Sequence, residues 1–281
     1  MKKIVITGGS GFVGSNILKH LLNKNLEITI ILRKNSFIEK NIIKNCQVHY
    51  VDDIFHQDYD WWLNIFKEVD IVIHSAWYVK HGKYLMSEKN LECLYGSICM
   101  AIAASEAKVS SFVGLGTCFE YDFEYCDKIL SIETPLNPKT PYSLSKVSLL
   151  NTLRTLQLTS KMNYCWCRIF YLYGEGEDKN RLMPYINQKL KNGETVFLTN
   201  GEKIRDYIHI SEATKLIIEI ALNKLYGEHN ICSGKGKSIK EIAEVIAAKY
   251  DRNDLLKFGK KDANRFEPLK IIGSPSKIKY Q

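Results

Sequence analysis

The sequence predicts a doubly wound α/β fold, a parallel sheet with helices on both faces, joined to a smaller, mostly C-terminal α/β lobe. Three observations carry that prediction. Short β-branched runs alternate with longer amphipathic stretches through the first half of the chain, the order that successive βαβ units produce. The first run leads straight into Thr7-Gly8-Gly9-Ser10-Gly11-Phe12-Val13-Gly14, a glycine pattern at a strand-to-helix junction. The chain has 281 residues, and because a single core stops growing near ~250 residues, a second unit is expected.

Lys3–Thr7, Ile28–Leu32, Val48–Val51, Ile71–His74 and Ser111–Leu115 read as strands whose apolar residues run on without strict alternation. Strands of that kind are buried on both faces, as in parallel sheets. Asn16–Leu22 and Ser143–Leu158 carry apolar residues at helical spacing and are expected to pack on the sheet. After a strand at Tyr164–Phe170 the pattern becomes less regular. There follow a Gly/acidic loop at Gly174–Lys179, a helix at Pro184–Lys191, a turn at Asn192-Gly193, a strand at Val196–Leu198, and helices at Lys215–Leu222 and Ile239–Tyr250. The expected division is a dinucleotide-binding domain over 1–170, rejoined by the chain around 206–230, and a lobe over 171–281, mainly 171–205 and 231–281.

Hydrophobic residues make up 45% and charged residues 25%, the balance of a globular protein rather than a disordered one. No apolar run approaches the ~18 residues of a membrane-spanning helix. The N-terminal Met1-Lys2-Lys3 precedes only Ile4-Val5-Ile6, too short an apolar stretch for a secretory signal. The eight cysteines lack metal-ligand spacing and read as buried thiols in a reducing compartment, so the expectation is a cytoplasmic protein without disulfides or a metal. A net charge of +8 could mark a nucleic-acid binder. The basic residues, mostly Lys, are instead dispersed with no arginine-rich run, which indicates a solvated surface.

Chemistry enters at the glycine pattern. Gly8 and Gly11 let the backbone turn and approach a pyrophosphate, Gly14 lets the helix pack on the strand, and the helix N-terminus offers amide donors. In such a unit the end of the second strand reads the adenosine ribose: a carboxylate selects NAD, and a cation accommodates the 2′-phosphate of NADP. Here it is Arg33-Lys34, so NADP is preferred and NAD remains possible. Tyr142 and Lys146 stand four residues apart on a predicted helix, hence on one face, where the ammonium could lower the phenol's pKa. Taken alone that pair is a common surface arrangement. Behind a dinucleotide fingerprint it points to catalysis.

Together these elements resemble the extended short-chain dehydrogenase/reductase family, in its branch acting on nucleotide-sugars, which implies a Rossmann-type fold. The resemblance runs from Lys3 to about Lys277. Beyond the glycine motif it rests on Asp53-Ile54, His74-Ser75-Ala76, Pro141-Tyr142-x-x-x-Lys146, Arg168-x-x-Tyr171-x-Tyr173-Gly174, Arg181-Leu182-Met183-Pro184, Arg205-Asp206-Tyr207-Ile208-His209 and Asn230-Ile231-Cys232-Ser233-Gly234. It implies cofactor contacts at Phe12, Val13, Asp53, Ile54 and Ala76 as well as at the glycines, Tyr142 and Lys146. It implies a substrate site at Trp77, Cys118, Tyr171, Arg181, Arg205 and Arg265, with Arg205 on the diphosphate, and a homodimer.

Matching Tyr121 to the family's Tyr puts Thr117 in the third catalytic place. Relatives that eliminate water resemble Thr-Asp-Glu there, with the carboxylates as acid and base; this chain has Thr117-Cys118-Phe119, which cannot do that work. The Cys of relatives that epimerise before reducing lies two residues after the Ser, where Phe119 stands. The resemblance therefore implies an NADPH-dependent reductase acting at carbon 4 of a nucleoside-diphosphate-4-keto-6-deoxysugar, hexose or heptose, for surface polysaccharide. An NAD-dependent 4-epimerase or 4-dehydrogenase needs the same three residues and stays open, as does, more remotely, a non-catalytic dinucleotide sensor. Departures at Trp77, Cys93 and Tyr171 mean the substrate cannot be borrowed from the commonest epimerases.

Overall fold

The computed structural model describes residues 1–125, 127–261 and 268–276. β1 (Lys2–Thr7) encloses Ile4, Val5 and Ile6 on both of its faces, where β-branched side chains pack well. α1 (Phe12–Leu21) buries Gly14, Ile17, Leu18 and Leu21 on one stripe. The alternation continues through β2 (Leu26–Arg33), α2 (Lys40–Lys44), β3 (Gln47–Val51), α3 (Tyr59–Ile65), β4 (Ile71–His74), α4 (Lys89–Glu106), β5 (Ser111–Thr117), α5 (Pro141–Thr159) and β6 (Asn163–Ile169). β7 (Tyr171–Tyr173), α6 (Leu182–Lys191), β8 (Val196–Phe197) and β9 (Ile204–His209) leave the sheet. The chain rejoins it with α7 (Ile210–Leu222), which packs on α1, and β10 (Gly227–Ile231), then departs again through β11 (Gly236–Ser238), α8 (Ile239–Ala248), β12 (Leu256–Lys257) and β13 (Lys270–Ile271).

The main sheet has seven strands in the order β10-β6-β5-β4-β1-β2-β3, every pair parallel. This is the expected Rossmann-type doubly wound sheet. Strand order reverses at β1, which lies between β2 and β4, and the crevice at the strand ends beside such a reversal is where doubly wound folds bind ligands. One face carries the core around Ile17, Leu18, Ile217 and Ile220; the other carries Trp62, Phe66, Met100, Leu149 and Leu153. In the second sheet β9 is central, antiparallel to β11 and parallel to β7 and β13. A third core of Ile186, Leu190, Val196, Ile242 and Ile246 fills this part, and a small cluster of Cys118, Tyr121, Leu130, Phe170, Cys232 and Ile271 joins it to the end of β5.

Element boundaries differ from the sequence pattern where capping overrides periodicity. α1 starts at Phe12 because Gly11 is extended at its N-cap, and α7 starts at Ile210, where the His209 ring accepts from the Ser211 amide. α8 stops at Ala248, short of Tyr250. α4 has no strong periodicity because its buried face uses small residues, among them Gly96, Ser97, Ala101 and Ala104. Among the described residues no helix is long and apolar enough to cross a membrane.

Candidate active site

The glycine loop is shaped by close packing. Gly8 has φ +74°, a left-handed conformation, and a Cβ there would sit 2.5 Å from the Ala76 amide nitrogen. A Cβ on Gly14 would fall on the Gly8 carbonyl. The Gly11 amide donates to the Gly8 carbonyl at 2.9 Å. α1 begins with no side-chain cap and no acid in its first turn, which leaves its N-terminal amides and partial positive charge available to an anion. The loop thus fits a dinucleotide pyrophosphate. At the adenosine side, Arg33 is exposed at the end of β2, whereas Lys34 pairs with Asp52 at 2.8 Å. Asp53 accepts from the Phe55 amide at 2.8 Å and caps a short 3-10 turn whose Ile54 is buried.

The end of β4 runs against this loop. Ser75 Oγ donates to the Thr7 carbonyl at 2.6 Å, and the Ala76 amide donates to Thr7 Oγ1 at 3.4 Å. His74 is fully enclosed, 2.7 Å from Thr7 Oγ1 and 2.8 Å from Ser97 Oγ. Burial, aided by Lys146, drives its pKa down to about 3, so the ring is neutral.

α5 starts with a Thr140 N-cap, which accepts from the Ser143 amide, and with Pro141 in the first turn; both favour a helix beginning at this point. Tyr142 and Lys146 therefore fall one turn apart on the buried face, 9% and 4% exposed, and Thr117 at the end of β5 is 6% exposed. The Thr117 hydroxyl neighbours the Tyr142 phenol and acts on it against the effect of burial. The three residues selected from the sequence are together. The expected acidification of the phenol is not what the site shows. Burial first, then Tyr84, Glu120 and Cys118, push the Tyr142 pKa far up, while burial lowers Lys146 to about 7. The reason is geometric: Lys146 Nζ lies 3.5 Å from the centroid of the Trp77 ring and 5.9 Å from that of Tyr142. Tyr142 is a protonated phenol, fit to donate.

Residues that the sequence reading assigned no role in the site hold this arrangement. Glu120, fully buried, accepts from the Thr117 amide at 2.8 Å and from Trp166 Nε1, and pairs with Arg168 Nε at 2.7 Å. Arg168 reaches on to Glu228, which Arg154 also binds. The signal was present as Thr117-x-x-Glu120, a capping box. Tyr84 packs edge-on against Tyr142 with centroids 4.9 Å apart, and the buried Asn90 accepts from Trp77 Nε1 at 2.9 Å.

On the lobe side the Phe119 and Tyr171 rings lie 6.3 Å apart, and the Arg205 guanidinium sits 5.5 Å from the Tyr171 centroid. Arg205 is only 2% exposed, and its Nη1 donates to the Ile204 and Leu269 carbonyls. Asp206 accepts from the Ser233, Gly234 and Gly273 amides and the Ser233 hydroxyl. Cys118 is buried, its thiol pushed up to about 12. Arg181 is half-buried at the N-cap of α6. Arg265 lies outside the described residues.

A glycine loop after β1 that fits a pyrophosphate, and a buried Thr-Tyr-Lys set at the end of β5 and the start of α5, agree with the sequence comparison. The model of the "NAD dependent epimerase/dehydratase family" matches residues 4–262. The chain belongs to that family. Its similarity extends over nearly the whole length of a dTDP-6-deoxy-L-talose 4-dehydrogenase (NAD(+)) from Aggregatibacter actinomycetemcomitans. The two are 24% identical over 287 residues, which is 96% of this chain and 99% of that one. A UDP-N-acetylglucosamine 4-epimerase from Methanobrevibacter ruminantium M1, in complex with UDP-N-acetylmuramic acid, has the same fold. It matches with TM-score 0.86 and 23% identity over 98% of this chain and 90% of that one. A UDP-glucose 4-epimerase from Thermus thermophilus, in complex with NAD, gives TM-score 0.81 at 18% identity over 97% and 90%. The family is one of oxidoreductase-type enzymes, and its NAD-dependence fits the cradle built by Gly8, Gly11 and Gly14.

Proposed function

We propose that this protein is a nucleotide-sugar 4-ketoreductase, acting on a nucleoside-diphosphate-4-keto-6-deoxysugar, hexose or heptose, destined for surface polysaccharide. One observation carries the reading. Thr117, Tyr142 and Lys146 are buried together, and the residues after Thr117 offer no free acid or base: Cys118 is buried with its thiol pushed to about 12, Phe119 cannot ionise, and Glu120 is paired with Arg168. A reduced dinucleotide held by the Gly8–Gly14 loop would supply the hydride. Tyr142, protonated, donates its proton to the carbon-4 oxygen, Thr117 orients that oxygen, and Lys146 holds the nicotinamide ribose. Trp77, Tyr171 and Arg181 are assigned to the sugar and its diphosphate, as is Arg265 beyond the described residues, whereas Cys118 and Arg205 are enclosed. The named relative, a 4-dehydrogenase of a 6-deoxysugar nucleotide, supports this, since oxidation and reduction share one transition state.

NADPH is the proposed donor, through Arg33. The second reading, an NAD-linked 4-dehydrogenase or 4-epimerase, is favoured by the Lys34–Asp52 pair, which leaves Arg33 as the cation of the two without that engagement, and by the NAD(+) of the relative. Two copies are proposed to associate through the outer faces of α4 and α5.

The test is a panel of nucleotide-4-keto-6-deoxysugars with NADPH or NADH, followed by loss of nicotinamide absorbance. Stoichiometric oxidation of NADPH is expected, falling by roughly 10²–10⁴ in Tyr142→Phe with dinucleotide affinity retained. Preference for NADH would move the assignment to the second reading, and near-normal turnover of Tyr142→Phe would remove the mechanism.

A further inference from the structure

Lys146 carries its charge into a nearly closed site, 4% exposed. A buried ammonium is expensive unless something replaces water around it. The titratable groups that face it are His74 from β4, held neutral, Cys93 from α4, Glu120 behind Thr117, and Tyr142 on its own helix. Cys93 is pushed up to about 11, hence a neutral thiol near neutrality, and Glu120 is committed to Arg168. The group in direct contact is the indole of Trp77, with Nζ 3.5 Å from its ring centroid, well inside the ~6 Å reach of a cation–π interaction.

The indole is itself held. Its Nε1 donates to Asn90 Oδ1 at 2.9 Å, and Asn90 Nδ2 donates to the Tyr84 and Ser87 carbonyls at 2.6 and 2.8 Å. Phe55 and His74 pack against it edge-on, at 6.3 and 6.4 Å. Its backbone follows Ser75 and Ala76, pinned to Thr7 under the glycine loop.

We propose that Trp77 is the positioning residue of the site: its indole face, locked by Asn90, keeps the Lys146 ammonium charged and seated between the dinucleotide cradle and Tyr142. This rests on the proposed catalytic roles of Tyr142 and Lys146, and it gives Trp77 a role beside the expected one at the substrate site. An indole over an ammonium favours the charged form. Removing it makes Lys146 lose its proton at lower pH, and the alkaline limb of the activity profile must follow.

Two measurements decide it. Without substrate, tryptophan fluorescence titrated from pH 6 to 10 should show a step in the unmodified protein beyond that of Trp77→Leu, Trp77→Phe and Lys146→Met; these variants give the background of Trp62, Trp166 and of Trp61, which packs against His49. A step that survives in Trp77→Leu, or no step in the unmodified protein, overturns the proposal. With substrate, Trp77→Leu should move the alkaline limb of kcat down by about one pH unit, while Trp77→Phe, which keeps an aromatic face, should move it less than half as far. Equal profiles for all three overturn the positioning role. If the protein turns over no nucleotide-sugar, the functional reading fails and the fluorescence titration still decides whether Trp77 seats the ammonium.

Discussion

Two buried bases of the site, His74 and Lys146, titrate in different windows and so act on stability at opposite ends of the pH range. His74 titrates at about 3 in the folded chain against an ordinary 6.5. Its pKa is depressed on folding, so the stability it contributes is complete above pH 6.5 and is lost as pH falls from there toward 3. By pH 5 that loss should be about 2 kcal/mol. Urea unfolding of the unmodified protein and His74→Gln at pH 7 and pH 5 tests this, with the variant expected to lose less on acidification; parallel losses would show that His74 is not the group responsible. Lys146, at about 7 against 10.5, binds fewer protons folded than unfolded over that interval. Its contribution therefore rises as pH climbs from about 7 to 10.5.

At the scale of elements, the turn after β5 decides where Thr117 points. Glu120 closes a capping box with Thr117 and carries Trp166 and Arg168 on its remaining lone pairs. Gly116 makes this possible, since a Cβ there would strike both Trp166 Nε1 and Glu120 Oε1. Glu120 and Arg168 are both 0% exposed, so breaking the pair strands a buried charge, an effect of about 3–5 kcal/mol. Burial pushes the Glu120 pKa up and Arg168 pulls it back. Glu120→Gln, nearly isosteric, should lower stability by about 3 kcal/mol, the second contact of Arg168 with Glu228 retaining part of the balance. Guanidinium unfolding measures it, and a loss below about 1 kcal/mol would mean that shape rather than charge holds the turn.

At the scale of the whole molecule, α4 and α5 lie side by side and expose an apolar outer surface. Leu91, Tyr95 and Ile102 are 64, 78 and 43% exposed on one face of α4, and Leu144 and Leu158 are 51 and 88% exposed on α5. Exposed apolar residues on two adjacent helices suit an association surface. The proposed homodimer would cover it with the same patch from a second copy, as a two-fold interface requires. Tyr95→Glu should convert dimer to monomer in light scattering, at unchanged secondary structure. An unmodified protein that is monomeric at all concentrations removes the proposal.

The Rossmann-type sheet, the glycine cradle and the Tyr142 and Lys146 pair were legible in the sequence because each depends on local rules: continuous apolar strands, a glycine where a side chain would collide, and two residues one helical turn apart. Family membership followed from the order of those local motifs along the chain. Other features were set by packing between segments distant in sequence. Glu120 meets Arg168 and Glu228 only when β5, β6 and β10 lie side by side. The face of Trp77 meets Lys146 only when the end of β4 passes under the glycine loop and beside α5. Arg205, expected to contact a diphosphate, is 2% exposed and lies against Tyr171 and Leu269. Burial is a property of the assembled fold, and with it go the ionisation states of Tyr142, Lys146 and His74, because desolvation acts on a charge only once the surrounding segments have excluded water.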